Sequence, residues 1–229
     1  MISVVIPTLN AGEGLAATLT ALVPAAVDGI VREVVIVDGG STDVTARIAE
    51  EAGAVLVRSP PGRGTQLREG ARQARCDWLL FLHADTVLQS GWEREVSALI
   101  SRIECGAREP TAATFKFALD DIGMKPRMLE AMVGLRCLFF RFPYGDQGLL
   151  IPRRLYEGIG GFRDMPLMED VDIVRRLGRR RLVLMRSRAV TSAARYRKDG
   201  YSLRIARNLS CLLLYYLRVP MRHIRRLYG

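Results

Sequence analysis

The chain has no paired cysteine motif, no apolar run long enough to cross a membrane and no Walker-type phosphate loop, and each absence removes a class of function. Four cysteines occur in 229 residues, Cys76, Cys105, Cys137 and Cys211. None forms a CxxC pair, which argues against a zinc ribbon or a thioredoxin-like redox site and fits a reducing cytoplasm. The longest uncharged stretch of the C-terminal helical segment, Asn208 to Leu217, has ten residues, against about 20 for a bilayer-spanning helix. No basic region precedes the first apolar run, Ile2 to Ile6, so no secretory signal is expected. Walker A is absent, and Gly62-Arg63-Gly64-Thr65-Gln66 matches GxGxxG only loosely, with Leu67 at the third glycine position and Pro60-Pro61 before it. A nicotinamide dinucleotide is therefore disfavoured. The Pro7 to Gly14 stretch lacks a lysine, which weighs against a sugar-phosphate nucleotidyltransferase.

What is present is an apolar, strongly basic chain whose charge is uneven. Its 49% hydrophobic content is enough for one good core. Residues 1–150 hold 15 Lys+Arg against 18 Asp+Glu and residues 151–229 hold 19 against 6, or −3 and +13. The arginine groups at Arg175-Arg176, Arg179-Arg180-Arg181 and Arg222 to Arg226 are not interleaved with stacking aromatics, so nucleic acid is not expected as a partner. A solvated basic surface explains the asymmetry, and so does attraction to anionic lipid or a phosphate-bearing substrate. The segment Tyr201 to Val219 combines apolar and aromatic residues with bordering arginines, as interfacial helices do; packing on the core or on a second copy is the alternative.

Short β-branched runs alternate with helical periodicity. Ile2–Pro7, Val31–Val37, Ala54–Arg58 and Trp78–Leu82 read as buried strands, each followed by a crossover helix: 14–23, 42–52, 65–74 and 92–103. This pattern predicts an α/β fold with a mostly parallel, Rossmann-like sheet covered on both faces. A strand at 114–118, a helix at 127–140, short strands at 148–151 and 182–185 and a helix at 170–177 follow. No linker or repeat divides the chain, so a single domain is expected, with an N-terminal half (1–118), a second half (119–200) and a basic C-terminal helix (201–229).

Acids stand at the ends of these elements. Asp85 follows the fourth strand and Asp38 the second, and Glu169-Asp170 lie in a loop-like stretch ahead of a helix. Capping accounts for Ser41, Thr42 and Asp43, but offers Asp38 no evident task. Glycines around Arg63 before a helix N-terminus would suit a diphosphate.

In order, Val4-Val5-Ile6-Pro7-Thr8-Leu9-Asn10, Val37-Asp38-Gly39-Gly40-Ser41-Thr42-Asp43, His83-Ala84-Asp85, Gly145-Asp146-Gln147-Gly148, Gly160-Gly161-Phe162 and Glu169-Asp170-Val171-Asp172 resemble family 2 glycosyltransferases of the GT-A fold, over about residues 2–180. Compact size, the Arg63 loop and the His-Ala-Asp variant are most similar to the small bacterial branch associated with radical-SAM and selenium-domain gene neighbourhoods. The resemblance implies a nucleoside-diphosphate-sugar donor held by Pro7, Thr8, Asn10 and Asp38, with Arg63, Gln66, His83 and Ala84 also at the donor. It implies Mg²⁺ or Mn²⁺ on Asp85, with His83 replacing the usual first acid of the motif and weakening the metal site. Asp170, or its neighbour Glu169, is the implied general base for inverting transfer to a hydroxyl acceptor, carried on a lipid in one version. Phe162 would offer the acceptor an apolar wall, and Arg175 or Arg176 would meet the diphosphate. The processive QxxRW signature is missing, which favours transfer of a single sugar. The expected protein is cytoplasmic, with peripheral contact at the inner face of the membrane. A noncatalytic sugar-nucleotide-binding protein is the second reading.

Overall fold

A computed structural model of the chain describes residues 1–140 and 143–228, apart from the side chain of Phe140. The elements in chain order are β1 (Ile2–Thr8), α1 (Gly12–Thr20), α2 (Val23–Val27), β2 (Val31–Asp38), α3 (Thr45–Glu51), β3 (Val55–Arg58), α4 (Arg63–Gln73), β4 (Trp78–Phe81), β5 (Thr86–Leu88), α5 (Trp92–Glu104), β6 (Ala112–Asp120), α6 (Met124–Phe140), β7 (Leu149–Pro152), α7 (Arg153–Gly158), α8 (Glu169–Leu177), β8 (Leu182–Ser192), α9 (Ala194–Asp199), α10 (Tyr201–Tyr216) and α11 (Met221–Tyr228). One eight-stranded sheet runs β3-β2-β1-β4-β7-β6-β8-β5. Its N-terminal side is parallel: β1 pairs with β2 and β4, and β2 with β3. Beyond β4 the sheet is mixed. β7 runs antiparallel to β4 and β6, β8 is parallel to β6, and β5 closes the far edge antiparallel to β8.

The β-branched runs form buried strands because helices cover both faces. One core layer joins Val4, Ile6, Ile36 and Leu80 to Leu15, Trp92 and Val96. The opposite layer joins Val5, Val37, Leu79 and Phe81 to Leu67, Ala71, Phe162 and Ile173. Gly70 lets α4 lie close to the sheet, since a Cβ there would meet Val5 Cγ1 at 2.3 Å.

Several expected boundaries shift for local reasons. The 14–23 helix is two, α1 and α2, the second having Pro24 in its first turn. Helix 42–52 starts only at Thr45, because Asp43 Oδ1 accepts hydrogen bonds from the Thr45 amide (3.0 Å) and hydroxyl. No helix follows β4 directly; a tight turn and the unexpected strand β5 intervene. The 182–185 strand continues to Ser192, supported along its length by β6 and, at its end, by β5. The C-terminal helix stops at Tyr216, where Arg218 (φ 58°) and Pro220 reverse the chain into α11. Among the described residues, no helix is long and apolar enough to cross a membrane.

Candidate active site

Open α/β sheets bind ligands beyond the carboxyl ends of their strands, at the point where successive connections diverge. Here that point lies around β1, flanked by β2 and β4. The β1–β4 pairing ends at Val5↔Phe81, so Pro7, which lacks an amide donor, sits beyond the last pair on that side.

The loops after β1 and β2 are tied together. Asn10, at φ 50°, accepts a hydrogen bond on Oδ1 from the Thr42 amide (2.9 Å) and donates its own amide to Ser41 Oγ (2.8 Å). Asp38 organises the turn, contrary to the expectation that it lacks a local task. Its Oδ2 accepts the amides of Gly40 (3.1 Å) and Ser41 (2.9 Å), and its Oδ1 accepts the Thr8 hydroxyl (3.0 Å) and the Ser41 hydroxyl. Burial raises its carboxyl, but these bonds from Ser41, Thr8 and Gly40 prevail and hold it below the ordinary range. Both Asp38 and Thr8 are thus already engaged within the protein.

Two more expected donor contacts have structural work instead. Gln66 is 3% exposed. Its amide donates to the carbonyls of Thr8 and Val37, both at 2.8 Å, and its Oε1 accepts the Gly62 amide at 3.3 Å, so it clamps β1 to β2. Ala84 is buried in the core, and its carbonyl accepts the Thr18 hydroxyl at 2.9 Å. Arg176 likewise is not free for a diphosphate: it pairs with Asp172 at 2.7 Å and donates to the carbonyls of Ile159 and Gly161. It thereby holds the Gly160-Gly161 turn, and Arg175 is exposed on α8.

Arg63, His83 and Asp85 behave differently. Arg63 opens α4, and its guanidinium has no hydrogen bond or ion pair to a described residue. Burial disfavours its charge, yet Glu169 foremost, with Tyr228, Asp170 and Asp85, holds the guanidinium above its usual range. His83 packs on Gly145; a Cβ there would lie 2.7 Å from His83 Nε2. Burial, then Arg63, depresses the imidazole to about 4 against the pull of Asp85 and Asp170, so it is neutral at pH 7. Asp85 follows in a turn braced by Ser192, whose amide donates to the Asp85 carbonyl at 3.1 Å, and by α1, where a Cβ on Gly14 would come within 3.0 Å of Asp85 Cα. Its carboxylate has no hydrogen-bond or ion-pair partner among the described residues.

The opposing wall is acidic. Glu169 and Asp170 are the first two residues of α8 rather than part of a preceding loop, with Met168 at φ 65° turning the chain into the helix. Asp170 Oδ2 accepts the Gly145 amide (2.7 Å) and Oδ1 the Val171 amide (2.8 Å), which fixes the carboxylate's orientation. Glu169 is 2% exposed and its Oε2 has no partner among the described residues. Burial, with Asp170 adding to it and Arg63 opposing, raises this carboxyl to about 7.

Asp146, within the Gly145–Gln147 turn, is a site residue that sequence reasoning quoted without a role. Its Oδ1 is buried without a partner among the described residues, and burial, reinforced by Asp170 and Asp85 against Arg136 and Arg63, raises the carboxyl to about 6. The signal for it was an acid flanked by glycines. Arg195 and Tyr228, whose fields reach His83 and Arg63, had no such signal. Beside this acidic wall lies a narrow cleft of about 30 Å³, with Leu67, Phe81, Phe162 and Ile173 on its apolar side and His83, Glu169 and Asp170 on its polar side.

A divalent cation fits this chemistry in one mode. No group of three or more His, Cys, Asp or Glu side chains is placed to hold a metal among the described residues, so a closed protein cage is absent there. A free carboxylate at Asp85 beside a neutral imidazole suits an ion that takes one or two protein ligands and completes its shell with phosphate oxygens and water.

Comparison with known proteins bears on the same region. The family model Glycosyl transferase family 2 matches residues 3–108. The chain is 34% identical over 107 residues to an uncharacterized glycosyltransferase of Mycobacterium tuberculosis, covering 46% of this chain and 45% of that protein. It is 35% identical over 124 residues to the PGL/p-HBAD biosynthesis glycosyltransferase of the same species, covering 48% and 44%. The match thus spans under half the length of these curated relatives. In fold, the chain is similar to glucosyl-3-phosphoglycerate synthase of M. tuberculosis crystallised with Mn²⁺ and UDP-glucose, at TM-score 0.64 and 20% identity over 96% of this chain and 80% of that one. The same enzyme with Mn²⁺, UDP and glucosyl-3-phosphoglycerate superposes at TM-score 0.61 and 20% identity, over 96% and 81%. The fold is therefore GT-A, and the family match and curated relatives support a glycosyltransferase.

Proposed function

We propose that the chain transfers a single sugar, with inversion, from a nucleoside-diphosphate sugar to a hydroxyl acceptor. The observation that carries this reading is the Asp85 carboxylate at the open end of the parallel strands, which has no hydrogen-bond or ion-pair partner among the described residues while its field reaches Arg63 and His83. Residues 1–118 hold the donor, and the segment from 119 onward builds the acceptor wall. Asp38 and Thr8 shape the nucleoside pocket, and Asn10, on the exposed rim, meets the base or ribose. A Mg²⁺ or Mn²⁺ ion on Asp85, bound together with the diphosphate, offsets the negative charge that develops on the leaving group. Arg63 adds a fixed positive charge at the same place. UDP-glucose is the first donor to try, because the structurally similar synthase was crystallised with it.

Asp170 serves as general base. Two backbone amides aim its carboxylate at the cleft, where it takes the acceptor hydroxyl's proton as that oxygen attacks the anomeric carbon. A lipid-linked hydroxyl is the acceptor in the fuller form of this reading, supported by the apolar side of the cleft and the basic C-terminal helices, with the protein working at the cytoplasmic face of the membrane.

The test is thermal unfolding with UDP-, GDP- and dTDP-sugars, with and without Mn²⁺, followed by release of free sugar from the donor that binds. Asp170→Asn should bind donor normally and lose about 10²–10⁴-fold in transfer. Normal turnover by that variant would sink the base assignment; failure of every nucleotide sugar to shift the melting temperature would sink the donor reading. Binding without hydrolysis or transfer would identify a sugar-nucleotide sensor.

A further inference from the structure

We propose that α6 and α10 together form a docking face for an anionic lipid bilayer at the mouth of the cleft. The proposal rests on the reading of a lipid-borne acceptor and adds the surface that would meet the lipid. Helix α6 buries Leu129, Val133 and Cys137 against Phe117 and Leu119. On its other side Met124, Met128, Met132, Leu135 and Phe139 are between 53% and 77% exposed. Their spacing of four, four, three and four residues puts them on one stripe nearly the length of the helix. Nothing among the described residues covers it.

Helix α10 meets α6 at its start. Its start is tied to the start of α6, with Tyr201 and Ile205 on the same apolar cluster and the Tyr201 hydroxyl donating to Asp121 Oδ2 at 2.6 Å. Its second half packs through Cys211 and Leu214 against Leu167 and Met168, which lead into Glu169 and Asp170 of the cleft. The end of α6 reaches the same cleft where the Arg136 guanidinium lies 3.6 Å over the ring of Tyr144. Leu209, Leu213 and Leu217 are exposed along and just past α10, each by more than half. Each of the two helices thus carries an exposed apolar strip and ends beside the cleft.

Charge identifies the occupant. Residues 200–229 contain six arginines and no acid, and Glu130 is the one acid in residues 122–142. Arg127 pairs with Glu130 at 2.6 Å. Arg218, Arg222, Arg225 and Arg226 are exposed at the α10–α11 end. A symmetric contact with a second copy would bring this patch against itself and set like charges together. A bilayer containing acidic lipid takes the apolar strips and the arginines at once. A hydroxyl carried at such a surface then meets the cleft edge at Tyr144 without leaving the membrane.

The full chain should sediment at low salt with phosphatidylcholine vesicles containing phosphatidylglycerol and stay in solution with phosphatidylcholine alone. Met128→Glu with Met132→Glu should weaken that binding at least about tenfold. Arg222→Gln and Arg226→Gln should each weaken it about fivefold. All these variants should keep the melting temperature and the donor-induced shift of the natural chain. The proposal is overturned if acidic vesicles are not bound, or if the methionine variant binds them as well as the natural chain. It is equally overturned if light scattering shows a dimer that the methionine variant dissociates. Transfer to a lipid acceptor in detergent, measured separately, tests the acceptor: vesicle binding without such transfer removes the acceptor reading and leaves the docking face, and transfer without vesicle binding does the reverse.

Discussion

Replacing Glu169 with Gln should make the protein more stable at pH 8 and leave it little changed at pH 4.5. The carboxyl is raised from an ordinary 4.5 to about 7 by burial and by Asp170. Because its folded value lies above its unfolded one, the folded chain holds the proton more tightly between these pH values, and stability falls as the pH rises through that window. At about 1.4 kcal/mol per unit, the ionised side chain costs up to about 3 kcal/mol once the pH exceeds 7. Gln keeps the volume and cannot ionise. The gap between the two stability curves should therefore open above pH 4.5, widen to about 7 and then stay constant. Each kcal/mol is worth roughly 2–4 °C of melting temperature for a chain of this size, so the separation is measurable by thermal unfolding from pH 4 to 9 without donor or metal. Arg63 opposes the rise, so Arg63→Met should steepen the loss of stability with pH in the chain that retains Glu169. Parallel curves for Glu169→Gln, or a gap that widens toward acid, would refute the placement of a buried carboxyl beside Asp170.

Other sites separate binding from folding. Asp85→Ala removes a carboxylate with no partner among the described residues, so stability should change by less than about 0.5 kcal/mol, while calorimetry should show that Mn²⁺ no longer strengthens UDP-glucose binding. Gln66→Ala leaves the buried Thr8 and Val37 carbonyls without their side-chain donor and should cost about 1–3 kcal/mol in urea unfolding. Gly64→Ala places a Cβ 2.2 Å from the Arg163 carbonyl, and should lose about 1–3 kcal/mol of stability. Turnover should fall with it, because the displaced 163–165 strand of chain leads into α8.

The parallel half was legible because its strands are buried on both faces and so read as short β-branched runs, as in Val34-Val35-Ile36-Val37. The other half obeys a different rule. β5 has three residues and gains its identity from pairing with β8, with Thr86 and Thr191 hydroxyls 3.0 Å apart, which no local periodicity announces. The same holds for the middle of β8, where Arg186 to Arg188 break the apolar pattern. The amides of Arg186 and Ser187 donate instead to Glu95, held low by the Ser187 hydroxyl and these amides against its burial.

At the site, residue type revealed chemistry only where a side chain stayed free to perform it. Asp38, Gln66 and Asp85 look alike in sequence as polar residues at or near strand ends, yet the first two accept or donate within the scaffold at every polar atom, and the third has no bond at its carboxylate. The difference lies in what returns to meet them. Gly40 and Ser41 fold back onto Asp38 within three residues, and α4 carries Gln66 across two strands, whereas Asp85 faces residues supplied from 145–170. Those later residues arrive as acids, Asp146, Glu169 and Asp170, so among the described residues Asp85 meets like charge and an arginine without an ion pair instead of a partner. Four acids and one arginine whose fields reach one another are unfavourable together unless protons are retained or a cation is supplied. Protons held at about 6 and about 7 on Asp146 and Glu169 meet part of that demand in the free protein. Donor diphosphate alone would add to the repulsion, which makes metal and nucleotide interdependent: each should bind more tightly in the presence of the other, by the same factor.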